Sequence, residues 1–174
     1  MSRDREVVAR ELLAVRCMQG ERAALDELAR AYQRRLLYFV RRLGVDEADA
    51  ADVLQKVWLR VVGGIHRLED PRCLVPWLYR VARNATHNYA RDRDPPHEPL
   101  TDPPAADESP LLDDAEIVHK GLLRLSRPHR EVLTLFFLED LTVDEAAAAL
   151  DVPPGTVKSR LFHAKLALRK ILDS

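Results

Sequence analysis

A proline-dense acidic strip interrupts the chain between Asp94 and Pro110. Six of the eleven prolines fall there: Pro95, Pro96, Pro99, Pro103, Pro104 and Pro110. Proline removes a backbone donor and breaks helices, and dense like charge opposes collapse. Across residues 94–116 there are eight carboxylates and no lysine or arginine. Such a strip is a poor candidate for a packed core. The sequence therefore predicts two domains, 1–93 and 113–174, joined by a flexible linker over 94–112.

Both flanks read as helix. In the first, Val7, Val8, Leu12, Val15 and Met18 form a loose apolar stripe that ends near Gly20. Leu25, Leu28, Tyr32, Leu36, Phe39, Val40 and Leu43 continue at helical spacing to Gly44. Asp46 is placed to cap a third helix, whose expected buried face is Ala51, Leu54, Val57, Trp58, Val61 and Val62. A polar loop spans Ile65 to Arg72. Pro76 then marks the first turn of a helix running through Trp77, Leu78, Val81, Ala82 and Ala85 toward Arg93. The second flank predicts four shorter helices: 117–125, one opened by Pro128, 143–150, and a last one from about Gly155 to Leu172. Hydrophobic residues are 47% of the chain and aromatics only 6%, which suits helical packing better than a β-sandwich. The expected fold class is all-α, two small helical domains.

Several functions are disfavoured. No apolar run reaches the roughly 18 residues needed to cross a bilayer. The charged stretch Met1 to Arg10 does not look like a signal peptide. Cys17 and Cys73 form no CxxC pair, which argues against zinc and disulfides and favours a reduced cytoplasmic setting. The six histidines are scattered, and there is no HExxH, glycine-rich phosphate loop or GxSxG. No enzyme activity, catalytic residue, metal or cofactor is expected.

The formal net charge of -1 hides an uneven distribution. Residues 1–93 carry 18 basic and 13 acidic side chains, and residues 117–174 carry nine and seven. The sharpest basic run, Gly155 to Lys170, holds Lys158, Arg160, Lys165, Arg169 and Lys170 without an acid. Such fields attract phosphate. Upstream of it, Thr142 and Glu145 have capping-box spacing, and Val152-Pro153-Pro154 turns the chain. A short capped helix, a tight turn and a longer basic helix have the form of a helix-turn-helix. Thr156, Ser159, Arg160 and His163 share a side away from the apolar stripe, suited to base edges, while Lys158 and Lys165 flank it within reach of phosphates.

The run Leu141-Thr142-Val143-Asp144-Glu145 with Val152 to Leu161 resembles region 4 of the extracytoplasmic-function (ECF) sigma factors, and Arg130-Glu131-Val132-Leu133 is similar to the start of that region. Asp49 to Trp58 resembles region 2.2, and Trp77 to Asn84 is similar to the helix that reads the -10 promoter element. The two resemblances occur in the family's order around a variable linker. They imply an alternative sigma factor that docks on core RNA polymerase and reads promoter DNA, as duplex at -35 and single-stranded at -10. An anti-sigma factor is a further partner they imply.

Residue by residue, the resemblance implies polymerase docking through Asp49, Asp52, Val53, Leu54, Gln55 and Trp58. It implies -10 contacts from Arg67, Leu68, Arg72, Arg80, Arg83, Asn84, His87 and Asn88. For the -35 element the residues are Thr156, Lys158, Ser159, Arg160, His163 and Lys165. Asn84 offers a base edge both a donor and an acceptor. Lys56 stands where the family commonly has an acid, Leu68 where an aromatic is frequent, and His163 and Lys165 where arginines are frequent. A two-domain helix-turn-helix regulator that does not need polymerase docking is the alternative reading. The acidic helix and basic helix of the first flank favour the sigma factor.

Overall fold

The computed structural model describes residues 3–93 and 114–173, which form helices and turns without a strand. The strip read as a linker lies outside the described residues. Four helices precede it: α1 (Arg3–Met18), α2 (Arg22–Arg42), α3 (Glu47–Gly64) and α4 (Leu74–Arg93). Four follow it: α5 (Asp114–Leu123), α6 (Arg127–Leu133), α7 (Val143–Leu150) and α8 (Pro154–Leu172).

In the first group, α2, α3 and α4 pack around Leu28, Leu36, Phe39, Val57, Leu74 and Leu78, all fully buried. Tyr79 joins them, its ring edge-on to Phe39 with centroids 5.0 Å apart. In the second group, Val132, Leu135, Leu150, Val157 and Leu161 knit α6, α7 and α8 together.

Three details depart from the sequence reading. The buried side of α1 is Leu13, Ala14 and Cys17, whereas Val7, Val8, Leu12 and Val15 are exposed. The helix has apolar residues on two sides, and periodicity alone does not choose between them. Asp46 starts α3 without capping it. Its carboxylate instead accepts from the Tyr89 hydroxyl at 3.2 Å and from Arg93 at 2.8 Å, which ties α3 to the end of α4. The stretch from Ile65 to Arg72 is mostly two 3₁₀ turns, Ile65–Arg67 and Pro71–Cys73, with Ile65 buried.

The two groups also pack on one another. Helix α4 lies along α7, and α2 reaches α5. At one seam Gly44 ends α2 with φ +99°, and a Cβ there would come within 3.0 Å of the Arg130 guanidinium. Glycine thus meets both a left-handed backbone and a close approach. Arg130 uses that space to donate to the Leu43 carbonyl at 3.2 Å, and to the Leu122, Leu123 and Leu125 carbonyls at 2.9–3.0 Å. One guanidinium thereby satisfies carbonyls at the ends of two helices, one from each group.

Candidate nucleic-acid and polymerase interfaces

Helix α7 begins with a complete capping box. The Thr142 hydroxyl accepts from the Glu145 amide at 3.2 Å, and the Glu145 carboxylate accepts from the Thr142 amide at 2.8 Å. It ends at Asp151, which is left-handed at φ 57°, where the Val152 amide returns to the Ala147 carbonyl at 3.1 Å. Pro153 and Pro154 then start α8. Val157, Leu161 and Ala164 pin α8 to the core. Lys158, Ser159, His163 and Lys165 are consequently exposed, and Thr156 and Arg160 half-buried. Among the described residues no carboxylate pairs with Lys158, Arg160 or Lys165. The Lys165 ammonium stands 6.0 Å above the Phe137 ring. This is an open cationic surface with short polar side chains between the charges, the composition that groove contact needs.

The basic side of α4 is arranged differently. Arg80 donates through Nε to the Ala148 carbonyl of α7 at 3.1 Å. Arg83 Nε donates to Glu131 Oε2 at 2.9 Å, and His87 Nε2 lies 2.5 Å from Glu131 Oε1. Glu131 is 1% exposed. Burial alone would raise its pKa, but His87 and Arg83 outweigh burial and hold it below the ordinary range. Three of the residues assigned to the -10 strand are therefore occupied by the second group of helices. Asn84 between them is exposed, and Asn88 is half-buried and accepts from Arg91 at 3.1 Å.

A second buried carboxylate, Glu139, sits beside this seam. It accepts from the Tyr79 hydroxyl at 2.6 Å and from Arg35 Nε at 3.2 Å, with Arg42 at 3.8 Å. Arg35 also donates to the Glu139 carbonyl at 2.6 Å. Here burial dominates and pushes the carboxyl above its usual range in spite of these partners. In the loop before α4, Arg67 is exposed and Leu68 is half-buried against the core. Arg72 is engaged locally, donating from Nη2 to Asp70 at 2.8 Å.

On α3 the structure corrects two assignments. Val53 and Leu54 are 3% and 6% exposed and belong to the core, because α3 turns that side onto α2 and α4. Trp58 is half-buried, with its indole N–H unpartnered. Asp49 is half-exposed and already accepts from Tyr89 at 2.8 Å and from Arg93. The outward stripe is Asp52, Gln55, Leu59 and Val62, with Leu59 69% and Val62 56% exposed. Ala51 and Val62, expected on the buried face, are exposed, and Leu59 and Val62 were missed as outward residues. Their spacing from Asp52 and Gln55, steps of three and four, is the signal that finds them. Tyr79, Glu131 and Glu139 were also missed as interface residues. Glu131 and Glu139 border apolar runs, the one local hint that a carboxylate is drawn inward.

Comparison with known proteins finds two family matches along the chain. Residues 28–95 match the family model described as Sigma-70 region 2, and residues 115–168 match Sigma-70, region 4. The chain is 30% identical to the RNA polymerase sigma-H factor of Pseudomonas aeruginosa, over 92% of each chain. It is 35% identical to the RNA polymerase sigma-E factor of Streptomyces coelicolor, over 88% of each. With the ECF RNA polymerase sigma-E factor of Escherichia coli it shares 28% identity over 94% of each. Among solved structures it is similar to CnrH in complex with the cytosolic domain of CnrY, with TM-score 0.75, 23% identity and coverage of 95% and 97%. It is also similar to the sigma factor RpoE in complex with the anti-sigma factor NepR from Bartonella quintana, with TM-score 0.70, 24% identity and coverage of 85% and 96%.

Proposed function

The chain belongs to the sigma-70 family of RNA polymerase sigma factors, of the ECF type, and we propose how its surfaces divide the work of promoter recognition. It is an alternative sigma factor, acting with core RNA polymerase. The observation that carries the division is the open, acid-free side of α8 behind a capped helix and a tight turn. That side enters the major groove of the -35 element. Lys158 and Lys165 neutralise phosphates, and Ser159, Arg160 and His163 face base edges. Short side chains bring the helix close, and the cations supply salt-dependent affinity.

Strand opening falls to α4 and the turn before it. A base that leaves the stack loses stacking and pairing, and a protein pocket must replace both. Asn84 supplies paired donor and acceptor groups for a base edge, and Arg80, Arg83 and His87 line the same helix side for the backbone. Polymerase docking falls to the stripe of Asp52, Gln55, Leu59 and Val62. An acidic and apolar helix side of this kind complements a basic, partly apolar partner. The protein acts in the cytoplasm as a non-enzymatic initiation factor, and an anti-sigma factor is the inhibitor we assign to it.

Transcription with purified core polymerase tests this reading. Promoters are varied at -35 and -10 separately, and opening is read by permanganate reactivity. Asn84→Ala reduces opening and leaves -35 recognition intact. Equal loss of both, or activity indifferent to both elements, contradicts the division of labour.

A further inference from the structure

The two buried carboxylates of the second domain take their side-chain partners from the first. Glu131 bonds Arg83 and His87 of α4, and Glu139 bonds Tyr79 of α4 and Arg35 of α2. Among the described residues neither has a side-chain hydrogen bond or ion pair within its own domain. A carboxylate withdrawn from water without a partner is expensive, so each of these positions suits the docked arrangement.

Local structure delivers both groups to the seam. Glu131 follows Arg130, whose guanidinium ties the end of α2 to the end of α5. Glu139 follows a π-helical turn, Thr134–Leu138, that leaves the Thr134 hydroxyl buried without a partner. Such turns are uncommon, and they cluster where a side chain must be redirected for function. The irregular turn brings Glu139 in line with Tyr79 and Arg35.

We propose that the free chain is self-closed, with Glu131 and the Ala148 carbonyl occupying Arg83, His87 and Arg80, so that the second domain competes with the -10 strand for the same donors. This rests on the assignment of α4 to strand reading. The acceptors are chemically equivalent to those of DNA. A carboxylate and a backbone carbonyl take from Arg80, Arg83 and His87 the hydrogen bonds that a phosphate or a base edge would take. Both cannot be served at 2.9 Å. Asn84 lies exposed between donors that are engaged. The closure is reversible by construction. Opening exposes the charges of both sides to water and returns their hydration, so buried pairs fix the register of the closed chain without making it rigid. The two carboxylates also differ in direction: His87 and Arg83 hold Glu131 below the ordinary carboxylate range, whereas burial pushes Glu139 above it.

The test uses the full chain, free of polymerase, with spin labels at Leu59→Cys on α3 and Lys170→Cys on α8 in a Cys73→Ser background. Glu131→Gln weakens the hold on Arg83 and His87. As an independent route, Arg35→Ala removes the side chain whose hydrogen bonds go to Glu139 and whose guanidinium lies 5.8 Å from the Tyr32 ring; circular dichroism confirms folding. The unsubstituted pair gives one narrow distance, and each substitution adds a longer population. A single-stranded -10 oligonucleotide binds each opened chain about tenfold more tightly, because a larger fraction is binding-competent. If both folded variants keep the narrow distance and the original affinity, the latch is overturned. If the distance lengthens without a gain in affinity, the latch stands and α4 loses its assignment to strand reading.

Discussion

Two helices of this chain carry the residues assigned to DNA, and the fold treats them oppositely. On α8 Lys158 and Lys165 stand in solvent and Arg160 is half-buried, and no carboxylate among the described residues pairs with any of the three. On α4, Arg80, Arg83 and His87 are bonded to Ala148 and Glu131 of the other domain. Both helices look alike in sequence, each basic on one side and apolar on the other. The difference lies in what packs against them. A side chain already exposed is open to a duplex, whereas the side of α4 assigned to the melted strand is covered by the other domain.

The largest effect expected from breaking this contrast is at Arg83. Arg83→Ala leaves Glu131 buried with His87 as its remaining partner, and the closed chain loses roughly 3 kcal/mol of stability, the lower end for breaking a buried ion pair. Urea unfolding measures it. The corresponding change on α8, Arg160→Ala, removes no buried pair. It leaves unfolding unchanged and weakens discrimination at -35 by about 1–3 kcal/mol if the contact is bidentate, read from competition between promoter variants.

Smaller effects sharpen the same comparison. Thr142→Ala deletes the cap that sets α7 against α8 and costs about 1 kcal/mol, measured as a lower melting temperature. Lys158→Ala lowers the salt dependence of holoenzyme binding by about one unit on all promoters, the result expected of the phosphate contact proposed for it.

Acid distinguishes the two seam carboxylates. The pKa of Glu131 is depressed in the folded chain, so its contribution is present above the reference value of 4.5 and is lost as pH falls through the depressed value. The pKa of Glu139 is raised, so its contribution is present below 4.5 and is lost as pH rises through the raised value. Unfolding at pH 4 and pH 7 separates them. Glu131→Gln costs more at pH 7 than at pH 4, and Glu139→Gln costs less at pH 7 than at pH 4.

Local chemistry was legible in the sequence wherever one segment decides the outcome. The capping box of Thr142 and Glu145, the span of α7, the start of α8 at the double proline and the buried side of α2 all follow from neighbours within a few residues. The buried side of α1 did not, since Val8 and Leu12 are as apolar as Leu13 and Cys17, and packing against α2 and the 3₁₀ turns selects between them. On α3, Val53 and Leu54 read as docking residues by resemblance, yet the close fit to α2 and α4 buries them and leaves Leu59 and Val62 outside. The seam was illegible for a different reason. Glu131 meets His87 across 44 positions, and Glu139 meets Arg35 across 104. No periodicity or cap encodes such a pairing, and a two-domain reading built on a proline-rich strip says nothing of which side chains meet across the domains.

Histidine modification compares the two helices in one experiment, because each carries a histidine. His163 on α8 is exposed, while His87 on α4 is bonded to Glu131. Diethylpyrocarbonate is applied to the free chain and to the complex with core polymerase, without DNA, and modification is mapped by mass spectrometry. The account predicts that His163 reacts in both, and that His87 is protected in the free chain and becomes reactive in the complex. A His87 that reacts as fast as His163 in the free chain contradicts the covered reading helix.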